Sequence, residues 1–466
     1  MPSSRPATAN CIWHRLPASQ SPPIRWSSRH EAPAPSSHSS LEALSRCFGS
    51  NFSHSDRPAS PWPFFPQSLL VTAFKRCRRA DLWCKSIMKA MLLAAGFGER
   101  MRPLTYGRAK PSLPLLNRPL VLTTLGYLKQ HGVDEVVINL HHQPESIRGV
   151  VGDGSRIGLK VHYSEEQIIL GTAGGLKKAE SYFRGGSTLI MSNSDFVTDC
   201  DLGAAVEAHR KSGAKATLIL TPHRPGTDYG SVELDGDGRI LSIAGRPPLR
   251  SQTGTGTSAT ATGSGHPKSG YTFIGIHVIE PSVLDQIPPS VKFEVNRDLY
   301  PMLIQGGALV KGHLFDGFWR ELGTPRLYLD GSMAILSEDR DPTLKPLRQG
   351  EGLYLDQVRL PQSTTTAPPI LIGRGTSVGR GCSLLGGVVI GRQCSIGAEC
   401  ALRSTMLWDG ARVGDRSHLT ECILTSGVYV PPGTSLSGRI LFRVEGYQGK
   451  KDGLERVGNC WAARLQ

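Results

Sequence analysis

From residue 88 onward, short apolar runs alternate with longer stretches in which apolar residues recur every three or four positions. The runs KAMLLAAG, DEVVINL, STLIMSNSD and KATLILTP are rich in Val, Ile and Leu, which favours strands buried on both faces. The segments between them include PLVLTTLGYLKQHG and DLGAAVEAHRKSG, which have helical periodicity. This alternation predicts an α/β domain with a mixed, mostly parallel sheet, and such sheets bind ligands at the carboxyl ends of their strands.

The C-terminal third of the chain has a different period. Apolar residues recur there every six positions and, after a slip of one, resume, as Ile372, Val378, Leu384, Ile390, Ile396, Leu402, Leu407, Val413 and Leu419 show. This period is typical of a solenoid in which one apolar residue per short strand points inward. We predict a β-helix at 366–440, after a linker at 336–365 and before a C-terminal tail at 441–466. With the single histidine His418 and no long loop, an assembly or regulatory role is favoured over acyl transfer.

Residues 1–87 have neither period and are rich in Ser, Pro and Arg, which predicts a disordered basic extension. About half of the net charge of +14 lies there. Three interpretations remain open, namely an organelle transit peptide, a basic arm for an anionic partner, and a segment outside the functional protein. The third is favoured because Met88 immediately precedes the first predicted strand.

Composition excludes several classes of protein. The chain has 466 residues, of which 39% are hydrophobic and 20% charged, as in globular proteins of two or three domains. It contains no apolar run long enough for a membrane helix, and no basic motif interleaved with aromatic residues outside 1–87. We therefore expect no membrane and no nucleic-acid partner. Its ten cysteines form no CxxC pair, which favours a cytoplasmic protein over a zinc site or a disulfide framework.

The first predicted strand leads into GFGERM, which nearly matches the GxGxxG turn of dinucleotide-binding proteins. Gly96 and Gly98 fit that pattern, but Met101 occupies the third glycine position and argues against a nicotinamide cofactor. The two glycines let backbone N–H groups approach a phosphate closely. Because Arg100 and Lys110 follow as fixed cations, the loop suits a nucleoside triphosphate better than a dinucleotide.

The stretch GFGERMRPLT followed by AKPSLP resembles the signature GxGxRxxPLT…xKPxxP of the sugar-1-phosphate nucleotidyltransferases, or NDP-sugar pyrophosphorylases. The segments LGTAGGL (170–176), NSDFVTD (193–199) and GFWRELGTP (317–325) resemble three further motifs of that family, in its order. The resemblance implies a Rossmann-like nucleotidyltransferase domain at 88–335, followed by a left-handed parallel β-helix of hexapeptide repeats. The implied reaction joins a nucleoside triphosphate to a sugar-1-phosphate with Mg²⁺ as cofactor, giving NDP-sugar and pyrophosphate. The implied assembly is a homo-oligomer.

The resemblance also implies roles for individual residues. Arg100 is expected to hold the β- and γ-phosphates, and Lys110 to lie near the α-phosphate and the sugar phosphate. The implied nucleotide-binding residues are Leu93, Ala95, Gly96, Gly98, Gly171 and Thr172, with backbone amides of GTAGG against the base and ribose. Asp195 and Glu321 are the implied metal ligands, although the family usually has aspartate at the second position. Helix capping is the alternative for Asp195, but two other aspartates lie closer to the next helix.

On the sugar side, the resemblance implies that Gly230 contacts the sugar and Arg246 its phosphate. Common branches of the family have Glu-Lys-Pro where this chain has Gly-Arg-Pro at 245–247, so a carboxylate for a sugar hydroxyl is missing. Glu294 is a candidate substitute, with helix capping as the alternative. The Gly-, Ser- and Thr-rich insertion 247–270 is expected to be flexible.

The identity of the substrates remains open at this point. Mannose-1-phosphate with GTP is favoured, because LGTAGGL followed by a β-helix is frequent in that branch of the family. Glucose-1-phosphate with UTP or dTTP, and N-acetylmuramate-1-phosphate with UTP, are alternatives. A non-catalytic, regulatory subunit of the same fold that binds nucleotide-sugars is the alternative to an enzyme.

Overall fold

A computed structural model describes residues 88–186, 188–223, 231–243, 270–443 and 453–466. The predicted extension 1–87 and nearly all of the predicted insertion 247–270 lie outside these described residues. Gly230 and Arg246 lie outside them as well. None of the helices within the described ranges is long and apolar enough to cross a membrane.

The N-terminal part of the described chain is built on a nine-stranded mixed sheet and two small two-stranded sheets. Their strands are β1 (Met88–Leu93), β2 (Pro114–Leu115), β3 (Arg118–Pro119), β4 (Val133–Leu140), β5 (Lys160–Glu165), β6 (Leu189–Asn193), β7 (Phe196–Thr198), β8 (Ala216–Pro222), β9 (Ser231–Leu234), β10 (Ile240–Ile243), β11 (Tyr271–Ile279), β12 (Val310–Leu314) and β13 (Trp319–Glu321). The large sheet has the order β10-β9-β11-β6-β1-β4-β5, and β8 joins β11 to β12.

Helices connect these strands. They are α1 (Leu120–Gln130), α2 (Pro144–Val151), α3 (Gly171–Lys178), α4 (Leu202–Ser212), α5 (Tyr300–Gln305) and α6 (Pro325–Ser337). Local sequence fixes where two of them begin. The Asp201 carboxylate accepts a hydrogen bond from the Ala204 amide at 3.0 Å and caps α4. Thr324 caps α6 in the same way through the amide of Leu327, at 3.2 Å.

Strands β6, β1, β4 and β5 are parallel and form the centre of the sheet. Along β1, Ala90 and Leu92 belong to one buried cluster, while Met91 belongs to another on the opposite face. This double burial explains why the strands read as continuous apolar runs. The predicted α/β fold with a mixed, mostly parallel sheet is confirmed.

The C-terminal part is a column of short parallel strands. Its strands are β14 (Arg348–Gly350), β15 (Leu353–Leu355), β16 (Thr365–Ala367), β17 (Ile370–Ile372), β18 (Ser377–Val378), β19 (Ser383–Ile390), β20 (Ser395–Ile396), β21 (Ala401–Leu407), β22 (Arg412–Val413), β23 (His418–Thr420), β24 (Ile423–Leu424), β25 (Tyr429–Val430), β26 (Ser435–Ser437), β27 (Arg439–Phe442), β28 (Glu455–Val457) and β29 (Cys460–Arg464). Thus the segment predicted as a linker contains β14 and β15, and the predicted tail contains β28 and β29. Strand β29 pairs antiparallel with β27, and β28 pairs antiparallel with β29.

Stacking of the apolar positions confirms the β-helix. Ile372, Ile390, Leu407 and Leu424 are register partners on successive strands, and all four are fully buried. The step from Ile390 to Leu407 is one residue shorter than the step before it, which accounts for the slip in the repeat. Of the nine positions named from the period, Val378 alone is only half-buried.

A second row of apolar side chains alternates with the inward row and faces out of the β-helix. This outward row consists of Tyr354, Leu371, Val389, Met406, Ile423 and Ile440. None of these residues is more than 1% exposed. They share one buried cluster with Met101, Leu104 and Leu113 of the N-terminal part, so the two parts have a common core.

A buried histidine lies in the core of the N-terminal part. His277 in β11 is 3% exposed, and its Nδ1 is hydrogen-bonded to the Tyr300 hydroxyl at 2.8 Å. Burial lowers the pKa of His277 from 6.5 to about 3, so the folded protein keeps this imidazole neutral.

We expect His277 to make the folded state less stable as the pH falls. Below its unfolded pKa of 6.5 the unfolded chain binds a proton that the folded chain excludes. The free energy of unfolding should drop by about 1.4 kcal/mol per pH unit from this group alone. Urea unfolding between pH 7 and pH 5 should therefore show a shallower decline for His277→Gln than for the wild type. The exposed His418→Gln is the control, and equal slopes for all three proteins would contradict the expectation.

Candidate active site

A cleft opens where β1, β4 and β6 end. Register pairs Leu93 of β1 with Asn139 of β4 and with Asn193 of β6, so the loops after these strands meet at one edge of the sheet. The cleft has a volume of about 290 Å³. Its lining includes these residues named from the sequence: Leu93, Ala95, Gly96, Gly98, Lys110, Gly171, Thr172, Asp195 and Glu294. The structure thus brings the first three motifs together at the edge where ligands of such sheets bind.

The two glycines of the first loop differ in what they do. Gly98 has φ +63°, and a Cβ there would come within 3.0 Å of the Thr105 side chain. Thr105 in turn donates a hydrogen bond from Oγ1 to the Gly98 carbonyl at 2.9 Å, which closes the loop. Gly96 has no atom within 4 Å of a Cβ position, so its backbone faces open space at the cleft. Gly98 therefore shapes the loop, and Gly96 leaves room beside it.

Lys110 and Asp195 form an ion pair inside the cleft. Their Nζ and Oδ2 atoms are 2.6 Å apart, and the two side chains are only 12% and 21% exposed. Lys110 begins a short 3-10 turn, Lys110–Ser112, and Asp195 lies two residues beyond β6. A cation and a carboxylate so placed can act on a bound phosphate and on a metal ion, respectively.

Pairing of β13 with β7 brings Glu321 beside Asp195. Glu321 is the register partner of Phe196, and the Leu322 amide donates to the Asp195 carbonyl at 2.9 Å. The Arg100 Nη2 atom lies 3.7 Å from Glu321 Oε1, although the Arg100 side chain is 70% exposed. Arg100 and Glu321 therefore stand at the rim, next to the cleft rather than among its lining residues.

These two carboxylates fit a divalent cation. Glu321 Oε2 is buried and has no hydrogen-bond partner among the described residues, so this oxygen has a lone pair to offer. Magnesium takes one or two protein carboxylates and completes its shell with water and substrate phosphates. Within the described ranges no group of three or more His, Cys, Asp or Glu side chains could hold a metal.

Three of the GTAGG backbone amides expected to face a base and ribose make contacts inside the protein, while the binding roles of Gly171 and Thr172 remain predictions. The Thr172 amide and hydroxyl donate to Glu294 Oε2 at 3.0 and 2.9 Å, and the next two amides donate to the Phe293 carbonyl. These amides are therefore engaged within the protein rather than aimed at a base. Gly171 has φ +75°, and a Cβ there would lie 2.7 Å from the Phe293 carbonyl oxygen, so close packing requires this glycine.

Glu294 lines the cleft but is held by this contact with Thr172. The helix-capping alternative applies to a neighbour instead, because Asp298 Oδ2 accepts a hydrogen bond from the Glu294 amide at 2.8 Å. Gly230 and Arg246 lie outside the described residues, so Glu294 is the described residue from the predicted sugar side.

Sequence reasoning missed a buried polar chain beneath the cleft. Asn139 accepts from the Ala94 amide at 2.7 Å and donates to Glu166 Oε1 at 2.8 Å. Glu166 Oε2 accepts from the Leu170 amide at 2.9 Å, and its residue is only 2% exposed. These hydrogen bonds connect the loop after β1 to the loop before α3. A polar residue near the end of β4 and another just after β5 were the signals in the sequence.

The comparison with known protein families agrees with this site. A family model described as nucleotidyl transferase matches residues 89–338, and the chain belongs to that family. The matched residues contain the whole cleft and the pair Asp195 and Glu321. The predicted class of enzyme, a sugar-1-phosphate nucleotidyltransferase, is confirmed.

The curated relatives include enzymes whose names carry different sugars and nucleotides. A UTP-glucose-1-phosphate uridylyltransferase of Synechocystis sp. is 29% identical over 351 residues, covering 72% of this chain and 86% of the relative. Mannose-1-phosphate guanylyltransferase 1 of Arabidopsis thaliana is 29% identical over 378 residues, covering 76% of this chain and 98% of the relative. Among solved structures, HddC from Yersinia pseudotuberculosis matches 53% of this chain and 100% of its own, with 20% identity and a TM-score of 0.44.

The different surroundings of Gly96 and Gly98 can be tested by measuring the free energy of unfolding of alanine variants. Gly98→Ala should destabilise the protein by roughly 1–2 kcal/mol, because alanine at positive φ is strained and its Cβ meets Thr105. Gly96→Ala should change the free energy of unfolding by less than about 0.5 kcal/mol, since its Cβ meets nothing. Urea unfolding of both variants measures the difference. A loss at Gly96 equal to that at Gly98 would show that the loop is built differently.

Proposed function

We propose that this enzyme transfers a guanylyl group from GTP to mannose-1-phosphate, giving GDP-mannose and pyrophosphate. The observation that carries the catalytic part of the proposal is the Lys110–Asp195 pair, which holds a cation 2.6 Å from a carboxylate inside the cleft. Support for the substrates comes from the several mannose-1-phosphate guanylyltransferases among the relatives. Glucose-1-phosphate with UTP or dTTP, and N-acetylmuramate-1-phosphate with UTP, are the alternatives to be tested beside it.

The reaction is an in-line displacement at phosphorus. A phosphate oxygen of the sugar-1-phosphate attacks the α-phosphorus of the triphosphate, and one new P–O bond forms. The bond from the α-phosphorus to the oxygen that bridges it to the β-phosphorus breaks, and pyrophosphate leaves with the electron pair. Because two anions must approach each other, catalysis consists mainly of positioning and charge neutralisation.

Lys110 supplies the neutralising charge between the two reacting phosphates. Its ammonium group lies in the cleft and is only 12% exposed, so its interaction with phosphate is screened less than that of a surface lysine. Binding of substrates exchanges its present partner, Asp195, for phosphate oxygens. Arg100 at the rim is exposed and free to turn from Glu321 toward the β- and γ-phosphates, where it offers a forked pair of donors.

Asp195 and Glu321 are the residues that would hold Mg²⁺. When bound, the cation neutralises phosphate charge and orients the triphosphate. Glu321 is longer by one methylene than the aspartate usual at this position. Gly323 offers the room that the longer side chain needs, because the Glu321 carboxylate lies directly over the Cα of this glycine.

The described part of the base-binding end is mostly backbone. The Glu166 carboxylate already accepts two hydrogen bonds, from Asn139 and from the Leu170 amide, and so holds its loop in place. Ile169 and Gly171 line the cleft at this end and offer main-chain groups for a base. Main-chain groups of this kind can read several bases, so the base is best assigned by experiment.

The activity test is a pyrophosphate-release assay of the full chain with Mg²⁺. It combines GTP, UTP, dTTP and ATP with mannose-1-phosphate, glucose-1-phosphate and N-acetylmuramate-1-phosphate. We expect the highest kcat/KM for GTP with mannose-1-phosphate. A higher kcat/KM for another pair would replace the proposed substrates, and no turnover with any pair would remove the proposed reaction.

Lys110→Met should lower kcat at least about 100-fold, because it removes a preorganised charge that stabilises the transition state. The exposed Lys129→Met, which removes a lysine paired with Asp134 at the surface, should stay within about twofold of the wild type. Both are measured with the best substrate pair, and the folding of each variant is checked by circular dichroism. A Lys110→Met enzyme that keeps wild-type kcat would contradict the role assigned to this lysine.

Asp195→Asn should weaken binding of the divalent cation about tenfold or more, since it removes a charged ligand. Mn²⁺ binding in the presence of triphosphate, followed by water-proton relaxation, measures this without turnover. The control is Asp153→Asn, which changes an exposed loop residue that does not line the cleft. Equal Mn²⁺ affinity in Asp195→Asn and the wild type would place the metal elsewhere.

A further inference from the structure

The loop that joins Arg100 to Lys110 lies against the β-helix. The Arg108 guanidinium stands 5.3 Å from the ring centre of Trp408, which directly follows β21. Two residues earlier, the rings of Tyr106 and Phe442 have centroids 5.8 Å apart. Thus the signature loop contacts the β-helix through two aromatic rings between its two functional cations.

The chain on the other side of Lys110 is held by Tyr328, which belongs to the same buried cluster as Trp408. The Tyr328 hydroxyl of α6 donates a hydrogen bond to the Pro114 carbonyl, four residues after Lys110. Burial raises the pKa of Tyr328, and the nearby Arg108 guanidinium opposes that rise. Trp408, Arg108 and Tyr328 therefore form one group, which holds the backbone on both sides of Lys110.

The contact between Arg108 and Trp408 is largely buried. Trp408 is 4% exposed, and it belongs to the cluster that contains the outward row of the β-helix together with Met101 and Leu104 of the loop. Burial lowers the pKa of Arg108, and the Asp409 carboxylate opposes that shift. A half-buried guanidinium over an indole is attracted to the face of the ring, so the contact restricts the direction of the Arg108 side chain.

We propose that Trp408 is a positioning residue for the active site, acting through Arg108 and Tyr328 on the turn that carries Lys110. The β-helix then completes the catalytic domain, in addition to any part it has in assembly. The inference rests on the role of Lys110 in the proposed function, but its structural half can be tested without turnover.

The chain offers a matched control. Arg456 stands 4.6 Å from the ring centre of Trp461 in β29, the register partner of Phe442. This is the same kind of contact on the same part of the β-helix, but it includes no residue of the signature loop. Trp408→Leu keeps an apolar side chain but removes the aromatic face together with part of the volume. Trp408→Phe restores a smaller aromatic face, and Trp461→Leu breaks the control pair. Arg108→Met tests the other partner, should Trp408→Leu not fold.

The first readout is hydrogen–deuterium exchange of the full chain without substrates. We expect faster exchange of amides in residues 99–113 for Trp408→Leu and Arg108→Met, and unchanged exchange there for Trp461→Leu. An unchanged loop in both of the first two variants would overturn the proposal. So would an equal increase of exchange over the whole chain, because that would report general destabilisation instead of positioning.

The second readout is steady-state kinetics with the best substrate pair. Trp408→Leu should lower kcat about tenfold, because a shifted catalytic group costs rate even when substrates still bind. The KM for the triphosphate should stay within about twofold, and Trp408→Phe should recover most of the loss. If the wild type shows no turnover, the proposed function fails, while the exchange result still decides the positioning. Wild-type kcat in a Trp408→Leu enzyme with a loosened loop would overturn the link to catalysis.

Discussion

Parallel pairing of β1 with β4 and β6 is the constraint on which the site depends. Parallel strands end at the same edge of a sheet, so this pairing places the loops after Leu93, Asn139 and Asn193 side by side. The buried chain from Ala94 through Asn139 to Glu166 then fixes how those loops approach one another. Each group in that chain is paired, which is the condition for burying polar atoms at low cost.

The second constraint is the common core of the two parts. A solenoid standing alone would expose its outward row, yet the outward row here is buried together with residues of the signature loop. Further polar contacts cross the same boundary, since Asn117 donates to the Ile390 carbonyl at 2.8 Å and Arg326 pairs with Glu421 at 2.7 Å. An interface of this kind leaves the signature loop little freedom to move independently of the β-helix.

The fold was predictable because its signals are periodic. Strands that are buried on both faces appear in the sequence as apolar runs. A turn of the β-helix that is one residue shorter appears as a slip in the six-residue repeat. The contacts between the two parts were not predicted. The apolar outward row indicates that this face of the β-helix is covered, but it does not identify the segment that covers it. The same limit applies to GTAGG, where glycine permits both ligand approach and close packing. Only the position of the Phe293 carbonyl decides in favour of packing at Gly171.

In the structure, each of the two cations of the site is paired with a carboxylate. An unpaired ammonium group or carboxylate at the exposure of Lys110 and Asp195 would cost desolvation energy, and their contact at 2.6 Å avoids that cost. Arg100 and Glu321 make a longer contact of 3.7 Å at the rim, where water can reach the arginine. Under the proposed function both pairs separate together, since phosphate oxygens take the two cations and a metal ion takes the two carboxylates. The exchange keeps every buried charge compensated, so the site can be assembled in advance without a large cost to folding.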